Sequence, residues 1–225
     1  MSVVDYTNAL GLVSGDVVAM IGSGGKTSLL FRLAAENRDR RVLVSTTTKM
    51  LRPEPERTAG LTLLYGGEVD GKMTAPPIDQ LRAACAAHEL ALLECDGSKG
   101  LPLKGWAAYE PVVPDFVTVT VGVLPLWALG QPVVPETIHR MELFCALTGA
   151  IPGEPVTAAH LAAVVEKPAG LFQKAQGRRV LFLNQRASEA GRDSVPYEIV
   201  EAAKRQGIAM LSGDIHRGIV REVRA

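Results

Sequence analysis

The run Val17-Val18-Ala19-Met20-Ile21 is apolar at every position and passes directly into Gly22-Ser23-Gly24-Gly25-Lys26-Thr27. A strand that is apolar on both faces must be covered on both faces, as in the parallel sheets of α/β proteins. Behind the glycines, residues 28–36 carry Leu29, Leu30 and Leu33 at helical spacing. Strand, glycine turn and helix in direct succession leave few folds open.

The rest of the chain repeats that alternation. Apolar runs predict strands over 42–44, 61–65, 90–94, 116–121, 180–183 and 208–211. Helices are expected over 78–89, 136–148 (ending at Gly149) and 196–205, and from an N-cap at Thr157 through Val165. The expected fold is therefore α/β: a three-layer sandwich of P-loop type around a mostly parallel sheet. Its 225 residues, 47% of them hydrophobic, suit one domain spanning 1–225, with room for a small helical subdomain around 136–170. Residues 52–57 read as an exposed loop, and 101–114, with Pro102, Pro111 and Pro114, as an ordered loop over the sheet edge.

Charge and cysteine usage narrow the partners. Twenty-four basic side chains balance 24 acidic ones, so no global field draws the chain toward nucleic acid or an anionic membrane. Cys85, Cys95 and Cys145 are odd in number and far apart, which argues against a disulfide framework and for a reducing compartment. The opening residues Met1-Ser2-Val3-Val4-Asp5 have no basic or long apolar stretch, and the apolar runs fall short of the roughly 20 residues of a membrane span. A cytoplasmic protein that recognises its ligands at a local site is expected.

The glycine loop defines that site. Glycines let backbone N–H groups turn around phosphate oxygens, and the following helix directs its positive end at the same anion. Gly22, Ser23, Gly24, Gly25 and Ser28 would cradle the phosphates, Lys26 would reach the β/γ-phosphates, and the Thr27 hydroxyl would ligate Mg²⁺. The motif is shorter than the common Walker A, which has glycine where this chain has Met20. GxxGKT is the form seen in Mur-type ligases and some deviant P-loops. The plain alternative is a glycine turn beside a solvated lysine.

Mg²⁺ also needs an acid at a neighbouring strand end. Glu94 and Asp96, two apart in Leu92-Leu93-Glu94-Cys95-Asp96-Gly97, share one side of a strand. Asp96, beside a glycine, ranks first as metal ligand and catalytic acid, with Glu94 second; the alternative has Asp96 capping a turn. In Ser45-Thr46-Thr47-Thr48-Lys49 the hydroxyls, Thr47 among them, either approach the γ-phosphate or cap the next element. Lys99 and Lys104 are candidates for binding an anionic substrate. Leu183-Asn184-Gln185 lies where guanine-binding folds carry NKxD, which would bring Asn184 to the nucleotide. Gln185 replaces the lysine and Ala187 the aspartate, so ATP is favoured and GTP stays open. His139-Arg140 is read as the exposed start of a helix, and Cys95 as strand packing.

Taken in order, these motifs resemble the YqeC family of accessory proteins for selenium-dependent molybdenum hydroxylases. The resemblance rests on the loop from Ile21 to Thr27, on Ser45-Thr46-Thr47-Thr48-Lys49-Met50, and on Glu94-Cys95-Asp96-Gly97-Ser98-Lys99-Gly100-Leu101-Pro102-Leu103-Lys104. Glu110-Pro111-Val112-Val113-Pro114, His139-Arg140 and Leu183-Asn184-Gln185 extend it. Cys95 stands where the family usually has alanine, and Ser98 is a second small departure. The resemblance implies a cytoplasmic nucleotide-binding protein in selenium cofactor biosynthesis or hydroxylase maturation, with a hydroxylase client or a small selenium-containing substrate as partner. A small-molecule kinase or Mur-like ligase, and a non-catalytic nucleotide-gated scaffold, are the competing readings.

Overall fold

The computed structural model describes residues 5–186 and 194–223. Eight strands form the main sheet: β1 Asp16–Gly22, β2 Val42–Thr46, β3 Thr62–Leu64, β4 Leu90–Glu94, β5 Val119–Pro125, β6 Arg178–Asn184, β7 Ala209–Asp214 and β8 Ile219–Glu222. Their order is β8-β7-β6-β5-β1-β4-β2-β3, and every pairing is parallel except β7 with β8. The glycine-loop strand β1 therefore lies inside the sheet, with the acidic strand β4 as its direct neighbour.

Alternation along β1 sorts its side chains between two apolar clusters. Val17, Ala19 and Ile21 face the cluster that receives α4 Ile78–Ala86, α5 Met141–Thr148, α6 Ala158–Glu166 and α7 Tyr197–Arg205. Val18 and Met20 face the one that receives α1 Tyr6–Ala9 and α2 Lys26–Glu36. The short α3 Pro55–Thr58 buries nothing. Leu29, Leu30 and Leu33 of α2 are fully buried, each contributing about 1.5–3 kcal/mol. That burial fixes the start of α2 against β1. Because α5 and α6 pack in the same cluster as the strands, 136–170 shares the main core.

Three expectations shift. The strand expected over 116–121 is β5, which begins at Val119 because 114–118 turn first, Val117 N–H bonding Pro114 O. It continues through Gly122, where a Cβ would sit 2.6 Å from Phe172 Cζ. The helix expected from 136 starts only at Met141: Ile138–His139 instead pairs with Leu103–Lys104, and Arg140 adopts a left-handed φ of 55°. The 101–114 segment lies over central strand ends rather than the sheet edge, since Val112 N–H bonds Cys95 O and Thr47 Oγ1 donates to Val112 O. A small antiparallel sheet, Met50–Leu51, Lys72–Thr74 and Gly67–Val69, was not expected.

Candidate functional site

The turn after β1 needs glycine three times over. Gly22 has φ 90°, and a Cβ there would lie 2.2 Å from Val123 O. Gly24, at φ 66°, would meet Pro125 Cγ at 2.5 Å, and Gly25, at φ 144°, would meet Asn184 Nδ2 at 2.6 Å. All three backbones are in conformations that L side chains rarely adopt. Gly25 is also the N-cap of α2 and supplies no side-chain acceptor, so the first-turn N–H groups of the helix lack a side-chain cap.

Lys26 opens that helix and is only 5% exposed. Its Nζ donates to Gly22 O at 2.8 Å, bending the side chain back over the loop. An ammonium has three donors, and among the described residues this one meets a single oxygen. One residue on, Thr27 Oγ1 donates to Glu94 Oε2 at 2.5 Å, joining the helix to the end of β4.

Asp96 occupies a different layer. It is fully buried and receives three donors: Gly22 N–H at 2.9 Å and Trp106 Nε1 at 2.9 Å on Oδ2, and Lys104 Nζ at 2.5 Å on Oδ1. The sequence ranks Asp96 ahead of Glu94 as the acid beside Thr27; the geometry reverses that order. Asp96 braces the loop from below with both oxygens engaged, whereas Glu94 reaches the Thr27 hydroxyl.

Lys104, expected at an anionic substrate, is equally committed. It is 1% exposed, donates to Gly97 O at 2.7 Å, and lies 3.4 Å from Glu110 Oε2. Glu110 in turn pairs with Arg140 Nη2 at 3.0 Å, and the same Nη2 donates to Tyr109 Oη at 2.9 Å. Arg140 is thus the half-buried end of an ionic chain, not an exposed helix face. Burial alone would raise the pKa of Glu110, but the Arg140 hydrogen bond, the Lys104 charge and the Ala107 N–H outweigh it and hold the carboxyl below its ordinary value. Burial, and then the charges of Lys104 and Arg140, push His139 below its ordinary value. Burial also lifts the Cys95 thiol to about 12, consistent with a packing role.

Above the loop lies a cleft of about 540 Å³. Its lining includes Gly24, Gly25, Lys26, Thr27, Ser28, Glu94 and Lys99, so most expected site residues come together there. The small antiparallel sheet and its flanks add Lys49, Arg52, Arg57 and Lys72, which give the cleft six cationic side chains against Glu54 and Glu94. Sequence reasoning missed these because nothing in the sequence marks strands of two or three residues. A second cleft of about 340 Å³ shares Ser28, Phe31 and Arg57 with the first and reaches Ile215 and His216 beyond β7.

Thr47 and Asn184 stand differently from the others. Thr47 lines neither cleft; its hydroxyl caps Val112 O at 2.6 Å, as Ser45 caps Leu64 O and Thr46 caps Glu94 O. Thr48 Oγ1 is buried with no hydrogen-bond partner among the described residues. Asn184 reaches the glycine loop through Nδ2, which donates to Gly24 O at 2.7 Å, and its buried Oδ1 has no partner among the described residues. Ala187, on which the preference for ATP rests, lies outside the described residues. Among the described residues no group of three or more His, Cys, Asp or Glu is placed to hold a metal ion. No helix of the described residues is long and apolar enough to cross a membrane.

No solved structure matches the chain. The family model described as YqeC protein matches residues 18–142, a stretch that contains the glycine loop, Glu94, Asp96 and Arg140. The uncharacterized protein YqeC of Escherichia coli (strain K12) is 33% identical over 236 aligned positions, covering 91% of this chain and 90% of that protein. On both grounds, a family model spanning more than half of the chain and a relative alike over nearly all of it, the chain belongs to the YqeC family.

Proposed function

We propose that this protein is a P-loop protein that binds a magnesium–nucleoside triphosphate, with ATP preferred. The observation that carries the reading is Lys26, a buried ammonium with one acceptor among the described residues, at the mouth of a glycine turn. Burying a charge is costly unless it is paired, and a phosphate oxygen would supply the missing partners. Lys104, buried nearby with two hydrogen-bond acceptors and a second carboxylate 3.4 Å away, shows what a structural lysine looks like in the same fold.

The residues present suit such a ligand. A side chain at Gly24 or Gly25 would collide with Pro125 or Asn184, so the loop stays bare backbone where phosphates would approach. Mg²⁺ favours a hydroxyl, one or two carboxylates and phosphate oxygens, and Thr27 with Glu94 provides the protein share. When bound, the ion would neutralise charge on the phosphates. Lys26 and the first-turn amides of α2 would bind and orient the phosphate tail. The nucleoside would enter the adjoining cleft over Ser28, Phe31 and His216.

The resemblance in sequence supports a wider role as a cytoplasmic accessory protein in the maturation of selenium-dependent molybdenum hydroxylases. Calorimetric titration with a non-hydrolysable ATP analogue and Mg²⁺ tests the core of the reading. Wild type should bind, and Lys26→Ala should weaken binding at least about tenfold, one strong charge-assisted contact. Equal affinity of the two proteins for the analogue would refute it.

A further inference from the structure

The larger cleft carries more positive charge than one magnesium-bound triphosphate uses. Lys26 belongs to the glycine loop. Of the remaining cations, Arg52 is paired with Glu68 and Arg57 lies 4.9 Å over the Phe31 ring. Lys49, Lys72 and Lys99 line the same cleft and have no acidic partner among the described residues. They arrive from three places: the end of the β2 turn, the middle strand of the small sheet, and the left-handed turn after Asp96. The small sheet with its flank and the turn after Asp96 thus bring three ammonium groups with no acidic partner among the described residues to one space.

We infer that this space is the site of a second substrate, a small phosphorylated molecule, bound beside the nucleotide. The inference rests on the proposed nucleotide reading, in which the nucleoside leaves by the neighbouring cleft and the far side of the larger one stays open. The number and spread of the cations mark the ligand class. A phosphate carries close to two charges and several acceptor oxygens that three separate point charges can share, whereas a carboxylate group offers one charge and two oxygens. Arg52 is held by Glu68 and Arg57 rests on the Phe31 ring, so the cations with neither an acid nor a ring partner among the described residues are lysines. The role anticipated for Lys104 passes to Lys49 and Lys72, with Lys99 kept.

Inorganic pyrophosphate serves as the probe and succinate as the carboxylate control. The glycine loop is blocked in two independent ways, by a saturating ATP analogue with Mg²⁺ in wild type and by Lys26→Ala without nucleotide. Pyrophosphate should bind in both cases. Adding Lys49→Ala and Lys72→Ala together should weaken it about tenfold or more, and succinate should bind at least about tenfold more weakly than pyrophosphate. If the analogue displaces pyrophosphate one for one and Lys26→Ala abolishes its binding, the lysines serve the nucleotide's own phosphates and the inference is wrong. Succinate binding as tight as pyrophosphate overturns the phosphate class. Should the analogue fail to bind wild type, the nucleotide reading falls, while the Lys26→Ala arm still decides the second site.

Discussion

Asp96 and Lys104 form an ion pair at 2.5 Å in which neither side chain touches solvent. They lie eight positions apart in sequence, and the chain folds back between them through left-handed Lys99 and Gly100. The same carboxylate takes the N–H of Gly22, so the pair is built into the floor of the glycine loop. Its first consequence concerns stability rather than catalysis.

Breaking a buried pair by removing one partner strands the other charge, at a cost of about 3–5 kcal/mol. Asp96→Asn and Lys104→Met should each lower the stability of the ligand-free protein by that order, read from urea unfolding. The double variant Asp96→Asn/Lys104→Met should cost clearly less than the two singles combined, because no charge is left unpaired. Were Asp96 chiefly a metal ligand, the ligand-free Asn variant would unfold at the wild-type urea concentration.

Glu94 carries the opposite expectation. Its contact with Thr27 is a single hydrogen bond between the end of β4 and the start of α2, so Glu94→Gln should leave the fold nearly as stable as wild type. What it should lose is the magnesium dependence of nucleotide affinity. Titrating the ATP analogue with Mg²⁺ and with EDTA should give a ratio near one in the variant and at least about tenfold in wild type. An unchanged ratio would remove Glu94 from the metal site.

The division of labour between these two acids shows where sequence reasoning stops. Period and composition locate β1, β4, β6 and α2 within a few residues, because each buries a continuous apolar face whose pattern is local. Glycine loop, helix start and acidic strand end are local too. Pairing is not: spacing along a strand places Glu94 and Asp96 on one side, but the strand ends at Glu94 and Asp96 turns under the loop. Glu110 meets Arg140 across 30 residues, and no pattern in either segment announces it. Lys72, and Lys49 just before the strand that pairs with it, are brought to the cleft by strands too short to leave a periodic trace.

Gly24→Ala tests the loop without touching a charge. A left-handed φ of 66° costs an L residue about 1–2 kcal/mol, and the new methyl would lie 2.5 Å from Pro125 Cγ. The loop must shift, which should weaken analogue binding about tenfold or more while far-ultraviolet circular dichroism stays that of wild type. Gly130→Ala is the matched control: it also has positive φ, at 81°, but no atom lies within 4 Å of the added carbon. It should carry the strain cost alone and bind the analogue as wild type does.

His139 and Glu110 give the fold an acid limb with two separable parts. Both groups hold folded-state pKa values below their ordinary ones, so the unfolded chain binds protons first as pH falls. For His139 the stability is fully present above its ordinary 6.5 and is lost as pH drops from there toward the lower folded value. For Glu110 it is present above its ordinary 4.5 and is lost below that. Stability measured by urea unfolding should therefore decline in two steps between neutral and acid pH. His139→Gln, which cannot titrate, should flatten the upper step and leave the lower one. Arg140→Met acts on both parts, since it removes the main contact depressing Glu110 and one of the charges depressing His139. Its lower step should shrink and its upper step should soften. The two substitutions therefore differ in which step survives. A wild-type profile flat from pH 7 to 5, or an upper step that persists in His139→Gln, would show that the ionic chain from Asp96 to Arg140 does not set the response.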